Sequence, residues 1–203
     1  MKAFYTLLFL FVFTINNSIA QKNSPLELGS IIPMSKKLMI DVSDETMSLN
    51  NNFNKNGLLV VFSCNTCPFV VMWEDRYRQI EKMCQNNKVG MVYINSNEAK
   101  RDGDDSKKAM KDYAKSMGYT FPYLIDQNSA VANAFGAKTT PHIYLFDKNK
   151  KLVYKGSIDD NFQDISQVKE TYLLDAIEQM VSGVDIKVKE TKAKGCSIKR
   201  AIN

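Results

Sequence analysis

The chain reads as an α/β protein: a mixed central β-sheet flanked by helices, with an N-terminal β extension. Three observations predict this. Apolar runs at 58–62 and 89–94 alternate with stretches of helical spacing at 68–84 and 106–117. Strand, helix, strand order implies parallel pairing through right-handed crossovers. Late in the chain, 142–146 and 151–155 flank the turn Asp147-Lys148-Asn149-Lys150, so an antiparallel hairpin joins the same sheet.

Taken in order, residues 1–20 read as a secretory signal peptide. Lys2 supplies the positive start, and 3–15 is apolar except for Thr6 and Thr14. Ser18-Ile19-Ala20 is a small-x-small cleavage signal before Gln21. The apolar run is shorter than the roughly 20 residues of a membrane anchor, and no cysteine stands near the cleavage point to carry a lipid. The expected location is therefore periplasmic or secreted, without stable membrane insertion after cleavage. The expected organisation is one domain at 21–184 and a tail at 185–203 that holds Cys196.

The lead-in 21–33 is polar, with Pro25, Gly29 and Pro33. Residues 37–42 and 45–49 read as short strands around a Ser43-Asp44 turn, and 50–57 as a loop. The 58–62 run is a buried strand. In 68–84, Phe69, Trp73, Tyr77, Ile80 and Cys84 recur at three- and four-residue intervals, which predicts one long helix. Pro68 suits its first turn, where a missing N–H costs nothing. Strand 89–94, polar loop 95–105, and a helix at 106–117 capped by Ser106 or Asp105 and stopped by Gly118 follow. Residues 121–126 are extended, and 129–135 is a short helix closed by Gly136. Thr139-Thr140-Pro141 leads into the hairpin. A loop at 156–167 and a final helix at 168–182 complete the domain.

The formal charge is +5, and loss of Lys2 takes Lys+Arg from 27 to 26 against 22 Asp+Glu, about +4. That balance is too mild and scattered for nucleic acid. The basic run in the tail, Lys187 to Arg200, reads as solvated.

The chemistry points to four cysteines. Cys64 and Cys67 form a C-x-x-C where the buried strand turns into a helix. Unpaired N–H groups and the positive end of the helix dipole lower a thiol's pKa there, and the thiolate is the nucleophile. A structural disulfide would close so small a loop that it gains little. A zinc site wants four nitrogen or sulfur ligands. Here only Cys64 and Cys67 have ligand spacing, and His142 is the single histidine. No metal and no organic cofactor are assigned. Cys84 reads as a buried apolar thiol, and Cys196 as a possible third redox cysteine.

Several further stretches carry a resemblance. Cys64-Asn65-Thr66-Cys67-Pro68-Phe69-Val70, Ile94-Asn95-Ser96-Asn97, Phe121-Pro122-Tyr123-Leu124-Ile125-Asp126, Thr140-Pro141, Gly156-Ser157-Ile158-Asp159-Asp160 and Gly195-Cys196-Ser197-Ile198-Lys199 stand in this order. Together they resemble the redoxin branch of the thioredoxin-like superfamily, the alkyl hydroperoxide reductase/thiol-specific antioxidant group, and within it peroxiredoxin-like thioredoxin family proteins. The resemblance runs from about Leu28 to the C-terminus. It implies a thioredoxin fold, redox-active Cys64 and Cys67, a cis peptide before Pro141, and substrate contact at Thr140 and Pro141. One departure stands out. Peroxiredoxins carry threonine or serine three residues before the peroxidatic cysteine and proline four further back; counted from Cys67, these are Cys64 and Val60.

The expected activity is thiol-disulfide exchange with protein thiols or disulfides, recycled by another redox protein. Cys64 is expected to attack and Cys67 to resolve. A thiol peroxidase using the same cysteines, and a non-enzymatic soft-metal carrier, are the alternatives.

Overall fold

A computed structural model describes residues 24–201; the expected signal peptide lies outside them. Strands β1 (Met39–Asp41) and β2 (Thr46–Met47) come first. They are followed by β3 (Gly57–Ser63), α1 (Pro68–Met72), α2 (Glu74–Asn86) and β4 (Val89–Asn95). Next come α3 (Lys107–Met117), β5 (Tyr123–Ile125) and α4 (Ala130–Phe135). Then β6 (Thr139–Thr140), β7 (His142–Asp147), β8 (Leu152–Gly156), α5 (Tyr172–Ser182) and β9 (Cys196–Ser197) complete the order.

Seven strands form one sheet in the order β2-β1-β5-β4-β3-β7-β8. β3, β4 and β5 are parallel, and β7, β8, β1 and β2 add antiparallel edges. This is the expected mixed sheet with its N-terminal extension.

Every residue of β3 is buried, and the period-2 pleat divides them between two cores. Leu59 and Val61 meet Trp73, Tyr77, Ile80, Leu173 and Ile177 on one face. Leu58, Val60 and Phe62 meet Val131, Phe135, Tyr144 and Phe146 on the other. A strand covered on both faces is apolar throughout, which is why 58–62 shows no alternation. Phe62, Phe135 and Tyr144 pack edge to face at 5.2–5.7 Å between centroids.

Three expectations change. The helix expected at 68–84 breaks at Trp73. The Arg76 guanidinium donates to the Met72 carbonyl, and the Arg76 amide bonds Trp73 instead, so the side chain replaces one rung of the i→i−4 ladder. The helix expected from 168 starts at Tyr172, because the Lys169 and Glu170 amides donate to Asp160 Oδ1 and hold that segment extended. The basic tail keeps Lys187, Lys189, Lys192, Lys194 and Lys199 exposed, as expected, but its backbone is not a free tail. It runs as a strap across the domain, with the Lys155 amide donating to Lys189 O and the Thr191 amide to Lys155 O. Further on, the Ile198 amide donates to Lys138 O and the Ala99 amide to Lys199 O. Ile186 and Ile198 are buried beneath it, and Lys194 sits 5.3 Å over the Phe162 ring. Apolar residues spaced through a basic run are what anchor it.

Candidate active site

The register of β3 and β7 builds the site. Phe62 stands opposite His142, so the residues just beyond β3 face those just before β7. Cys64 and Cys67 therefore meet Thr140 and Pro141. The Thr140–Pro141 peptide bond is cis. The Cys64 Sγ lies 3.3 Å from Thr140 Oγ1, and the Cys67 Sγ lies 3.2 Å from the Thr140 carbonyl oxygen. Both thiols are buried, at 2% and 5% exposure, and both are free, as is every described cysteine.

Cys196 arrives from the far end of the sequence. β9 pairs antiparallel with β6, with Thr140 opposite Cys196 and Thr139 opposite Ser197. Gly195 makes this possible: a Cβ there would stand 2.2 Å from the Thr140 carbonyl oxygen. The half-buried Cys196 thiol lines the same cleft as Cys67, near enough for each to shift the other's pKa. Cys64, Cys67, Thr140 and Cys196 line one cleft of about 200 Å³ together with Lys100 and Lys199, and Pro141 follows Thr140 through the cis bond.

The electrostatics single out Cys67. Interactions from the Cys64 thiol first, and then from the Cys196 thiol and the Val70 and Cys196 amides, favour its thiolate. These donors hold the Cys67 thiol well below the ordinary thiol range, against the opposing effect of burial. A protonated Cys67 donates to the Thr140 carbonyl, but S–H is a weak donor and bonds to the charged form are stronger. Cys64 moves the other way. Its hydrogen bond to Cys67 keeps it protonated, and burial and the Asp105 carboxylate add to the rise. Burial and the contact with Cys67 also raise Cys196. The donors thus surround Cys67, whereas the sequence reading gave the attacking role to Cys64.

Beneath the C-x-x-C loop lies a polar network with no assigned role in the sequence reading. Buried Asp105 accepts from the Asn65 amide at 3.1 Å, Asn95 Nδ2 at 2.7 Å and Asn97 Nδ2 at 2.9 Å. Asn65 donates to Asp104 O and accepts from the Tyr123 hydroxyl. Register places Asn95 beside both Ser63 and Ile125, at the carboxyl ends of the parallel strands. The signal available in sequence was the density of asparagine and aspartate in 95–105 directly after a buried strand.

The other expectations fall outside this cluster. Cys84 is buried on α2, and burial raises its thiol to about 12. His142 sits on β7 against Tyr144; burial first, then Lys155 and Lys138, lower its pKa to about 4, so it is neutral. Among the described residues, no group of three His, Cys, Asp or Glu side chains is placed to hold a metal ion.

The fold and this site define a thioredoxin-fold protein of the redoxin kind. Residues 29–155 match the AhpC/TSA family, and the chain belongs to that family. An uncharacterized conserved protein from Geobacillus kaustophilus is 31% identical with a TM-score of 0.81, covering 87% of this chain and 94% of that one. A hypothetical protein from Sinorhizobium meliloti 1021 is 29% identical with a TM-score of 0.80, covering 89% and 98%. The thioredoxin domain of a thiol-disulfide oxidoreductase from Bacteroides vulgatus shares the fold at 19% identity and a TM-score of 0.52, covering 64% and 88%. No curated protein matches the sequence.

Proposed function

We propose that the protein is an exported thiol-disulfide oxidoreductase whose Cys64–Cys67 pair cycles between dithiol and disulfide, with Cys67 attacking and Cys64 resolving. The observation that carries this is the convergence of both sulfurs on Thr140, with hydrogen-bond donors gathered around Cys67 and a protonated Cys64 beside it. A thiolate at Cys67 attacks a disulfide sulfur and expels one thiolate. Cys64 then attacks Cys67 Sγ and expels the second, its proton passing to a leaving thiolate. The substrates are thiols or disulfides of proteins, and a second redox protein restores the starting state. Export rests on the leader-like residues 1–20.

The test uses Cys64→Ser and Cys67→Ser variants, each in a Cys196→Ser background so that the pair is tested without the third site cysteine, with a disulfide-bonded test protein. Cys64→Ser is expected to retain one round of attack and accumulate mixed disulfides, and Cys67→Ser to lose attack. Equal trapping on either remaining cysteine would reverse or abolish the assignment.

A second reading is favoured by the size of the cleft, which admits a small molecule more readily than a polypeptide. As a thiol peroxidase, Cys67 would take an oxygen from a hydroperoxide, and Cys64 would condense with the sulfenic acid and release water. Stopped-flow consumption of hydroperoxide at a rate no faster than a free thiol would remove it.

A further inference from the structure

We infer that Cys196 is the entry thiol of this protein: it exchanges with outside disulfides and relays the bond to Cys67 beneath it. This rests on the redox reading of Cys64 and Cys67.

The first ground is occupancy. An extended substrate segment would pair with the backbone beside Thr140 as an added strand. β9 already makes that pairing, with Cys196 opposite Thr140. The second ground is that the strap is held on both sides of the site. Thr191 is bound to Lys155 and, through its hydroxyl, to the Ser157 amide. Past the site, Ile198 is buried and the Lys199 amide donates to Asn97 Oδ1. Swinging it away breaks all of these contacts. The third ground is depth. Cys64 and Cys67 are buried, whereas Cys196 is half-buried and lines the same cleft as Cys67. The three sulfurs thus lead inward from Cys196 through Cys67 to Cys64, and the substrate's place at Thr140 is filled by a cysteine of the chain itself.

The steps balance. The Cys196 thiolate attacks an outside disulfide, forms a mixed disulfide and releases one thiolate. Cys67 attacks Cys196 Sγ, forms Cys67–Cys196 and releases the second thiolate. Cys64 attacks Cys67 Sγ, forms Cys64–Cys67 and expels the Cys196 thiolate. The protons of the dithiol pass to the two released thiolates, so one outside disulfide is reduced and one internal disulfide is made. The reverse sequence reduces the centre.

The experiment oxidises the reduced, purified protein with one equivalent of a disulfide-bonded test protein, quenches with acid and maps the bonds by mass spectrometry. Cys67–Cys196 is expected before Cys64–Cys67, and Cys64→Ser is expected to stop at Cys67–Cys196. Cys196→Ser should slow formation of Cys64–Cys67 at least tenfold. Gly195→Ala keeps every thiol but pushes the strap off Thr140, and is expected to slow the same step. Early mixed disulfides on Cys67 with Cys196 free, or an undiminished or faster rate in Cys196→Ser, would overturn the inference while leaving the dithiol intact. If Cys64–Cys67 never forms even with excess oxidant, the underlying redox reading fails as well.

Discussion

Replacing Cys64 with alanine tests the thiolate assignment most directly. The Cys64 thiol is the largest of the influences lowering Cys67. A hydrogen bond to a charged group contributes about 1.5–3 kcal/mol. At 1.36 kcal/mol per pKa unit, its loss raises Cys67 by about 1–2 units. The absorbance of thiolate at 240 nm, followed against pH in the reduced protein, measures this. Wild type is expected to show a step well below the ordinary thiol value of about 8.5, moved upward in Cys64→Ala. The sign also fixes a stability trend. A thiol depressed in the folded state stabilises it fully above the unfolded value, and the gain is lost as pH falls through the folded one. The reduced protein should therefore exceed Cys67→Ser in stability near pH 9 and lose that advantage on acidification. The same thiolate favours the reduced form, which makes the couple more oxidising by about 30 mV for each tenfold change. A wild-type step near 8.5, or a Cys64→Ala step unchanged or lower, would refute the reasoning.

Asp105→Asn keeps the shape but turns an amide toward three N–H donors, and is expected to cost about 2–3 kcal/mol by urea unfolding. It also removes a carboxylate that raises Cys64, so the Cys64 pKa should fall; an unchanged unfolding midpoint would count against the network. Arg76 is 4% exposed and pairs with buried Asp159 at 3.1 Å, so Arg76→Met strands a carboxylate and is expected to cost about 3–5 kcal/mol by the same measurement. Native alkylation with iodoacetamide should spare Cys84, which burial lifts to about 12, and label it only on unfolding; rapid labelling in the native state would show that α2 opens.

The sheet and the dithiol were legible in the sequence because their signals are local. The apolar run of β3, the turn at Cys64–Cys67 and the β7–β8 hairpin each declare themselves within a few residues. The break at Trp73 was not legible, since it depends on where one guanidinium lands after folding. The strap was missed for a related reason. Its charges dominate its composition, while its anchors, Ile186, Thr191 and Ile198, are scattered and bind partners far away in sequence. Cys196 could be named as a candidate, but its register against Thr140 is purely tertiary. The division of labour between Cys64 and Cys67 was not legible because spacing sets which sulfurs meet and leaves open which one the donors surround.

This bears on what tunes the centre. The two residues between the cysteines are the obvious candidates, yet neither is placed to act directly. Thr66 is exposed, and Asn65 turns away from the sulfurs into Asp104, Asp105 and Tyr123. The donors that reach Cys67 come from Cys64, from Val70 at the start of α1 and from Cys196 on the strap. Two of these are fixed by the C-x-x-C segment itself, but the third is delivered by residues more than a hundred positions later. Moving the strap therefore changes two things at once: it exposes the dithiol, and it withdraws both the thiol and the amide of Cys196 from the Cys67 thiolate. Access and reactivity are opposed by construction, since the contact that stabilises the nucleophile is the contact that covers it. A substrate disulfide meeting Cys196 in place spends the Cys196 thiol but keeps the Cys196 amide beside Cys67, whereas one that must first displace the strap loses both and meets a less ionised Cys67.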